Sequence, residues 1–249
     1  MPALETRKLC KSFGALTVAQ NIDFRLNPGD RHALIGPNGA GKTTFVNMLT
    51  GVLRPSSGSI VLGGEDVTRA PQAERVQRGL GRTFQINTLF RHLPVLDNVA
   101  LGIAERRGVA QGMWRPASGY RELIDESREL LSTLGIADEA LLPVMDLPYG
   151  KQRLVEIAIA LGLRPKVLLL DEPAAGVPSA ETNTILQLLE RLPPEIAVLI
   201  IEHDMEVVFR FARRITVMVQ GEVLVEGPPD EIARDRRVHQ VYLGEGHHA

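Results

Sequence analysis

Residues 36–43 read GPNGAGKT, with the run His32, Ala33, Leu34, Ile35 leading in as a strand and a helical stretch over 43–49 leading out. No other feature narrows the fold as much, because the pattern GxxxxGK[ST] works only where a strand passes into a helix through a glycine-rich loop. Gly36, Gly39 and Gly41 let the backbone curl so that several N–H groups point inward, and the following helix adds its positive end. Such a curl is a cradle for phosphate oxygens. Lys42 is then placed to reach the outer phosphates of a nucleotide, and the Thr43 hydroxyl to help hold Mg²⁺.

A second strand ends on acids. Val167, Leu168, Leu169 and Leu170 are followed by Asp171, Glu172 and Pro173. Ligands of open α/β sheets bind beyond the carboxyl ends of their strands, which is where this pair falls. Asp171 is suited to Mg²⁺, partly through water, and Glu172 to orienting or deprotonating an attacking water. Paired acids after a strand can also simply cap the next helix; the loop at 36–43 favours the chemical reading.

The remaining texture agrees with an α/β chain. Continuous apolar strands at 167–170 and 197–201 alternate with a helix near 181–192, which indicates a parallel sheet covered on both faces. The amino-terminal part reads as short strands with tight turns, including a half-buried strand at 22–26 and a turn at 27–30. From 87 to 162 the pattern is helical. A helix over 120–134 places Leu123, Leu130, Leu131 and Leu134 on one face and ends at Gly135, while 104–119, rich in Gly, Arg and Pro, reads as a loop. The tail from 215 to 243 reads as a hairpin turning at Gln220 and Gly221, then a short helix.

Composition excludes several classes. A formal net charge of -2 over 249 residues gives no polycationic face, so nucleic acid is not the expected partner. The single cysteine, Cys10, forms no intrachain disulfide, and no metal-binding Cys/His spacing exists. The first eleven residues mix charges of both signs without the apolar core of a signal peptide. The longest apolar runs are strand-sized, short of the ~20 residues that span a bilayer. The chain is not expected to cross a membrane by itself.

Further strings, in order along the chain, resemble the ABC ATPase family. Gln85, in the run Arg82-Thr83-Phe84-Gln85, looks like the glutamine that senses Mg²⁺ and water and faces the membrane partner. His203 looks like the switch histidine that contacts the γ-phosphate. Phe13 stands where the family places an aromatic ring on adenine, with a core Phe as the alternative. The whole loop Gly36-Pro37-Asn38-Gly39-Ala40-Gly41-Lys42-Thr43-Thr44 would hold ATP. Tyr149, Gly150 and Lys151 fall in the family signature, usually written LSGGQ, which meets the ATP of the opposite subunit. Here the sequence departs: Pro148 replaces a serine, Tyr149 a glycine, and Lys151 the usual Gln or Glu. The Gly150 amide, the helix dipole and the Lys151 charge remain. Pro178 likewise replaces an Asp or Asn in the loop after Glu172.

The resemblance implies an α/β fold: a P-loop NTPase (RecA-like) core with an antiparallel β subdomain and an inserted α-helical subdomain. One ABC ATPase domain, 1–249, would comprise a core and β subdomain at 1–86 and 163–249, and a helical subdomain at 87–162. Strings such as GRTFQ at 81–85, EPAAG at 172–176 and VYLG at 241–244 resemble the branched-chain amino acid importer branch. The implied protein binds ATP and Mg²⁺, with Glu172, His203 and Gln85 catalytic and Thr43, Gln85 and Asp171 at the metal. It works on integral-membrane permease subunits with a second ABC ATPase subunit, in a homo- or heterodimer, and indirectly with a solute-binding protein. Its place is peripheral, on the cytoplasmic face of the bacterial inner membrane. The segment around Gln85, Thr88, Leu89 and Phe90 would form the groove for a permease helix. Other ABC systems (amide or urea import, lipopolysaccharide export), a soluble non-transport ATPase and a cassette that binds ATP without turning it over are the alternatives.

Overall fold

A computed structural model describes residues 1–83, 89–108 and 117–244. Strands β1 (Leu4–Phe13), β2 (Leu16–Leu26), β4 (Ser57–Leu62) and β5 (Glu65–Asp66) form an antiparallel sheet in the order β2-β1-β4-β5. The second sheet runs β10-β9-β3-β8-β7-β6, from β3 (Arg31–Ile35), β6 (Leu80–Arg82), β7 (Val167–Asp171), β8 (Ala197–Ile201), β9 (Arg214–Val219) and β10 (Glu222–Gly227). It is parallel except for β10, which closes an antiparallel hairpin on β9. This is the α/β architecture expected from the apolar strands.

Both faces of the large sheet are covered, and that explains the unbroken apolar runs. Leu168, Leu170, Val198 and Ile200 pack towards helices α3 (Val95–Arg106), α4 (Ala117–Thr133), α5 (Tyr149–Gly162), α6 (Ser179–Glu190) and α7 (Met205–Phe211). The alternate residues Val167, Leu169, Leu199 and Ile201 face the other way. They meet α1 (Lys42–Thr50), whose Phe45, Val46, Met48 and Leu49 are buried between this sheet and the antiparallel one. The short α2 (Gln72–Gln77) precedes β6, and α8 (Pro229–Ile232) and α9 (Arg236–Gly244) follow β10.

Several local expectations shift. The loop expected over 104–119 is narrower, because α3 runs on to Arg106 and α4 starts at Ala117. Arg106 earns its helical place by bonding Gly162 O and the Glu126 carboxylate. Helix α6 begins two residues early, with Pro178 in the extended conformation just before it, and ends at Glu190, ahead of Pro193. The tail holds two helices rather than one, since Pro228 and Pro229 start a separate turn. The turns at Gly29, Gly135 and Gln220-Gly221 are present, with positive φ at each of these residues.

Candidate active site

The register of the large sheet brings the expected residues to one edge. Leu34 of β3 stands beside Ile201 of β8, and Ile201 beside Asp171 of β7. The three adjacent strands therefore end level, delivering Gly36, Glu202 with His203, and Asp171 with Glu172 to the same rim.

The glycine loop is shaped by its neighbours as much as by its own sequence. A Cβ on Gly36 would lie 2.1 Å from Met218 O of β9, and one on Gly41 would lie 2.7 Å from Val18 O of β2. Gly39 has open space, so only its φ of +77° calls for glycine there. The β9–β10 turn braces the loop: the Gly221 N–H donates to Ala40 O (2.9 Å), and Gly221 O accepts from Gln20 N–H. The Lys42 ammonium donates to Gly36 O (2.5 Å) and Pro37 O (3.0 Å), so its charge lies folded over the loop. Ala40 is buried, Pro37 is half-buried and Asn38 is exposed; Thr43 and Thr44 open α1 behind them.

At the acids, Asp171 Oδ2 accepts from the Arg82 guanidinium at 2.9 Å, and the same guanidinium donates to Asn47 Oδ1 of α1 at 2.9 Å. Glu172 has a left-handed backbone, φ 47°, unusual for a residue with a side chain, and its N–H donates to Ile201 O at 2.9 Å. Strain of this kind collects at functional sites. The Glu172 Oε1 lies 3.6 Å from His203 Nδ1, and both side chains are more than half exposed. Next to them, Glu202 is 1% exposed and accepts N–H bonds from Ala174 and His203. Burial pushes its carboxyl above the usual range, against those two hydrogen bonds and the nearby His203.

Phe13 is exposed, with the Lys11 ammonium 4.9 Å from its ring centre, which removes the alternative of a core Phe. Gln85 and Thr88 lie outside the described residues, whereas Leu89 is buried and Phe90 exposed. The signature region opens α5 as expected. Lys151, however, does not project as a lone positive charge: its ammonium pairs with Glu139. Tyr149 stacks under the Arg153 guanidinium, 5.4 Å away, and its ring lines Gly176. Gly150 is buried, and a Cβ there would fall 1.9 Å from Glu181 Oε2 of α6. The sequence pattern assigns no part in the site to Arg82, Asn47, Glu181, Glu202 or Gly221, the last being read only as a hairpin turn. Glu202 alone left a signal, a carboxylate set directly after a fully apolar strand.

An ABC transporter family model matches residues 19–175, and the chain is 36% identical over 251 residues to the high-affinity branched-chain amino acid transport ATP-binding protein LivG of Escherichia coli (strain K12), covering 98% of each. The chain belongs to the ABC transporter family. It is an ATP-binding, ATP-hydrolysing subunit, and cassettes of this family dimerise and work with membrane permease subunits. A shorter model, described as a branched-chain amino acid ATP-binding cassette transporter, matches residues 222–248 of the cassette. The lipopolysaccharide export system ATP-binding protein LptB of Haemophilus influenzae is 34% identical over 248 residues, again with 98% of each chain covered. The crystal structure of the ADP conformation of MJ1267, an ATP-binding cassette of an ABC transporter, superimposes with a TM-score of 0.87 at 29% identity, over 98% of this chain and 99% of that one. The P-loop NTPase fold expected from the sequence is thereby met. Among the described residues, no helix of the cassette is long and apolar enough to cross a membrane.

Proposed function

We propose that this cassette powers import of branched-chain or other amino acids through a separate permease, from the cytoplasmic face of a bacterial inner membrane. The observation that carries the import reading is likeness to LivG along the whole chain, joined by the branched-chain match at its carboxyl end. A cassette dimer, homo- or heteromeric, would hold ATP between the glycine loop of one subunit and the Gly150 region of the other, and a solute-binding protein would deliver the substrate. In this reading 1–249 is one ABC ATPase domain, with 1–86 and 163–249 as core and β subdomain and 87–162 as the helical subdomain.

The donor set fits Mg-ATP. The loop offers an ammonium and a glycine curl with no room for Cβ at Gly36 and Gly41, and two carboxylates, Asp171 and Glu172, stand at the end of β7, with β8 between it and β3. Thr43, Asp171 and Gln85 would hold Mg²⁺, which when bound neutralises charge on the phosphates. Residues 36–44 would bind the phosphates and the Phe13 face would stack on adenine. Glu172 would take the proton of the attacking water, with His203 beside it. Phe90, Leu93, Leu141, Leu142 and Met145 are exposed apolar residues on two segments tied together by the Val144 N–H to Leu93 O and Met145 N–H to Arg91 O bonds. That patch supports a permease-docking surface.

A Glu172→Gln variant tests the assignment directly. It is expected to bind Mg-ATP yet lose hydrolysis by roughly 100-fold or more, the usual contribution of a general base. Captured with ATP from native membranes, it should bring down a multi-span permease pair. Hydrolysis at the wild-type rate would refute the role of Glu172, and recovery of a lipopolysaccharide-export permease would replace the import reading.

A further inference from the structure

The loops that carry Glu172 and His203 come from different strands, and what fixes their relative position is not in the motifs themselves. Segment 172–174 is tied to segment 201–203 at two points. The Glu172 N–H donates to Ile201 O at 2.9 Å, and the Ala174 N–H donates to Glu202 Oε1 at 3.0 Å. The other oxygen of the same carboxylate accepts the His203 N–H at 3.3 Å. Glu202 is thus a two-pronged bracket, one oxygen on each loop.

Its surroundings make this bracket specific to a carboxylate. Glu202 is 1% exposed, and among the described residues no lysine or arginine pairs with it; His203 Nδ1 is 3.9 Å away and the Glu172 charge opposes it. A buried carboxylate without such a partner is costly, and it is tolerated where hydrogen bonds satisfy it. Serine or threonine at this position would present a single oxygen and could not reach both N–H groups separately. The bracket also opposes the strain at Glu172, whose left-handed backbone needs its neighbours held.

We propose that Glu202 is a positioning residue for hydrolysis, holding Glu172 and His203 in mutual register without itself touching the nucleotide. The inference rests on the proposed roles of Glu172 and His203. No hydrogen bond joins Glu202 to the glycine loop among the described residues, so its loss leaves the phosphate cradle in place and falls on the 3.6 Å approach of Glu172 to His203. Misplacing reacting groups by about 1 Å can cost ~100-fold in rate.

The test is steady-state ATP hydrolysis by the full-length chain, alone and assembled with its permease, for Glu202→Gln and Glu202→Ala beside Glu172→Gln. Glu202→Gln keeps one acceptor but turns an NH₂ towards the other N–H; Glu202→Ala removes both acceptors. Expected are a kcat roughly tenfold lower for Glu202→Gln and lower still for Glu202→Ala, with KM for ATP within about twofold of wild type. Thermal melts identify any variant that fails to fold, in which case the near-isosteric Gln variant decides. A kcat at the wild-type value, or a loss that falls on KM as much as on kcat, overturns the proposal. If Glu172→Gln remains active, the reading of the base fails instead; if it is inactive while both Glu202 variants are normal, only this inference fails.

Discussion

Acid should destabilise this cassette through a residue far from its chemistry in sequence logic, His32. The ring is fully buried in β3, edge-on to Phe24 at 5.0 Å. Its Nε2 lies 2.8 Å from Thr216 Oγ1, and that hydroxyl donates its one proton to Glu226 Oε2 at 3.0 Å. The hydroxyl must therefore accept from His32, which fixes the proton on Nε2 and leaves Nδ1 bare and without a partner among the described residues. Burial, outweighing the attraction of Glu226 and Asp30 and aided by Arg214, holds the imidazole at about 4, down from 6.5. A depressed histidine favours the folded state above the unfolded value, and that contribution is lost as pH falls from 6.5 towards about 4, because the unfolded chain binds the proton first. At about 1.36 kcal/mol per pH unit, the gap is worth roughly 3 kcal/mol. Urea unfolding at a series of pH values, wild type against His32→Phe, isolates this from the ordinary carboxylates. The wild type should lose roughly 3 kcal/mol more than the variant between pH 7 and 4. Parallel curves would refute the argument.

Three substitutions probe the rim. Arg82→Met removes a guanidinium that joins Asp171 to Asn47, and should lower unfolding free energy by about 1–3 kcal/mol in urea melts; an unchanged midpoint would mean the bridge contributes nothing. Gly36→Ala drives a Cβ against Met218 O and should reduce binding of a fluorescent ATP analogue by tenfold or more, whereas Gly39→Ala, with open space, meets only the ~1–2 kcal/mol cost of a left-handed residue. Equal affinities for the two variants would show that the loop is not braced by β9.

Much of the fold was legible because its signals are local. An unbroken apolar strand such as 197–201 needs no partner to be recognised, and the structure gives that strand with the same bounds. Turns at Gly29 and Gly221 were legible for the same reason, since positive φ is a demand each residue makes alone. Helix limits around 104–119 were not, because Arg106 is held in α3 by Gly162 and Glu126, residues 56 and 20 positions away. No reading of the run itself contains that information.

The site divides along the same line. Lys42, Asp171, Glu172 and His203 each stand directly beyond an apolar strand or its loop, so a search for polar residues at strand ends finds them, and the β3–β8–β7 register then brings the ends level. What the search misses is whatever acts between strands. Arg82 bonds Asp171 across 89 residues, Glu202 bonds Ala174 across 28, and Gly221 reaches Ala40 from a hairpin near the other end of the chain. The signature region is harder again. Pro148 and Tyr149 look like damage when set against a serine and a glycine, yet Tyr149 lines Gly176 and Glu181 closes on Gly150, so α5 is fitted to the loop after Glu172 within this same subunit. A side chain at 150 would have to push the flexible Glu181 carboxylate aside, so glycine there lets α6 close on α5 before any nucleotide arrives.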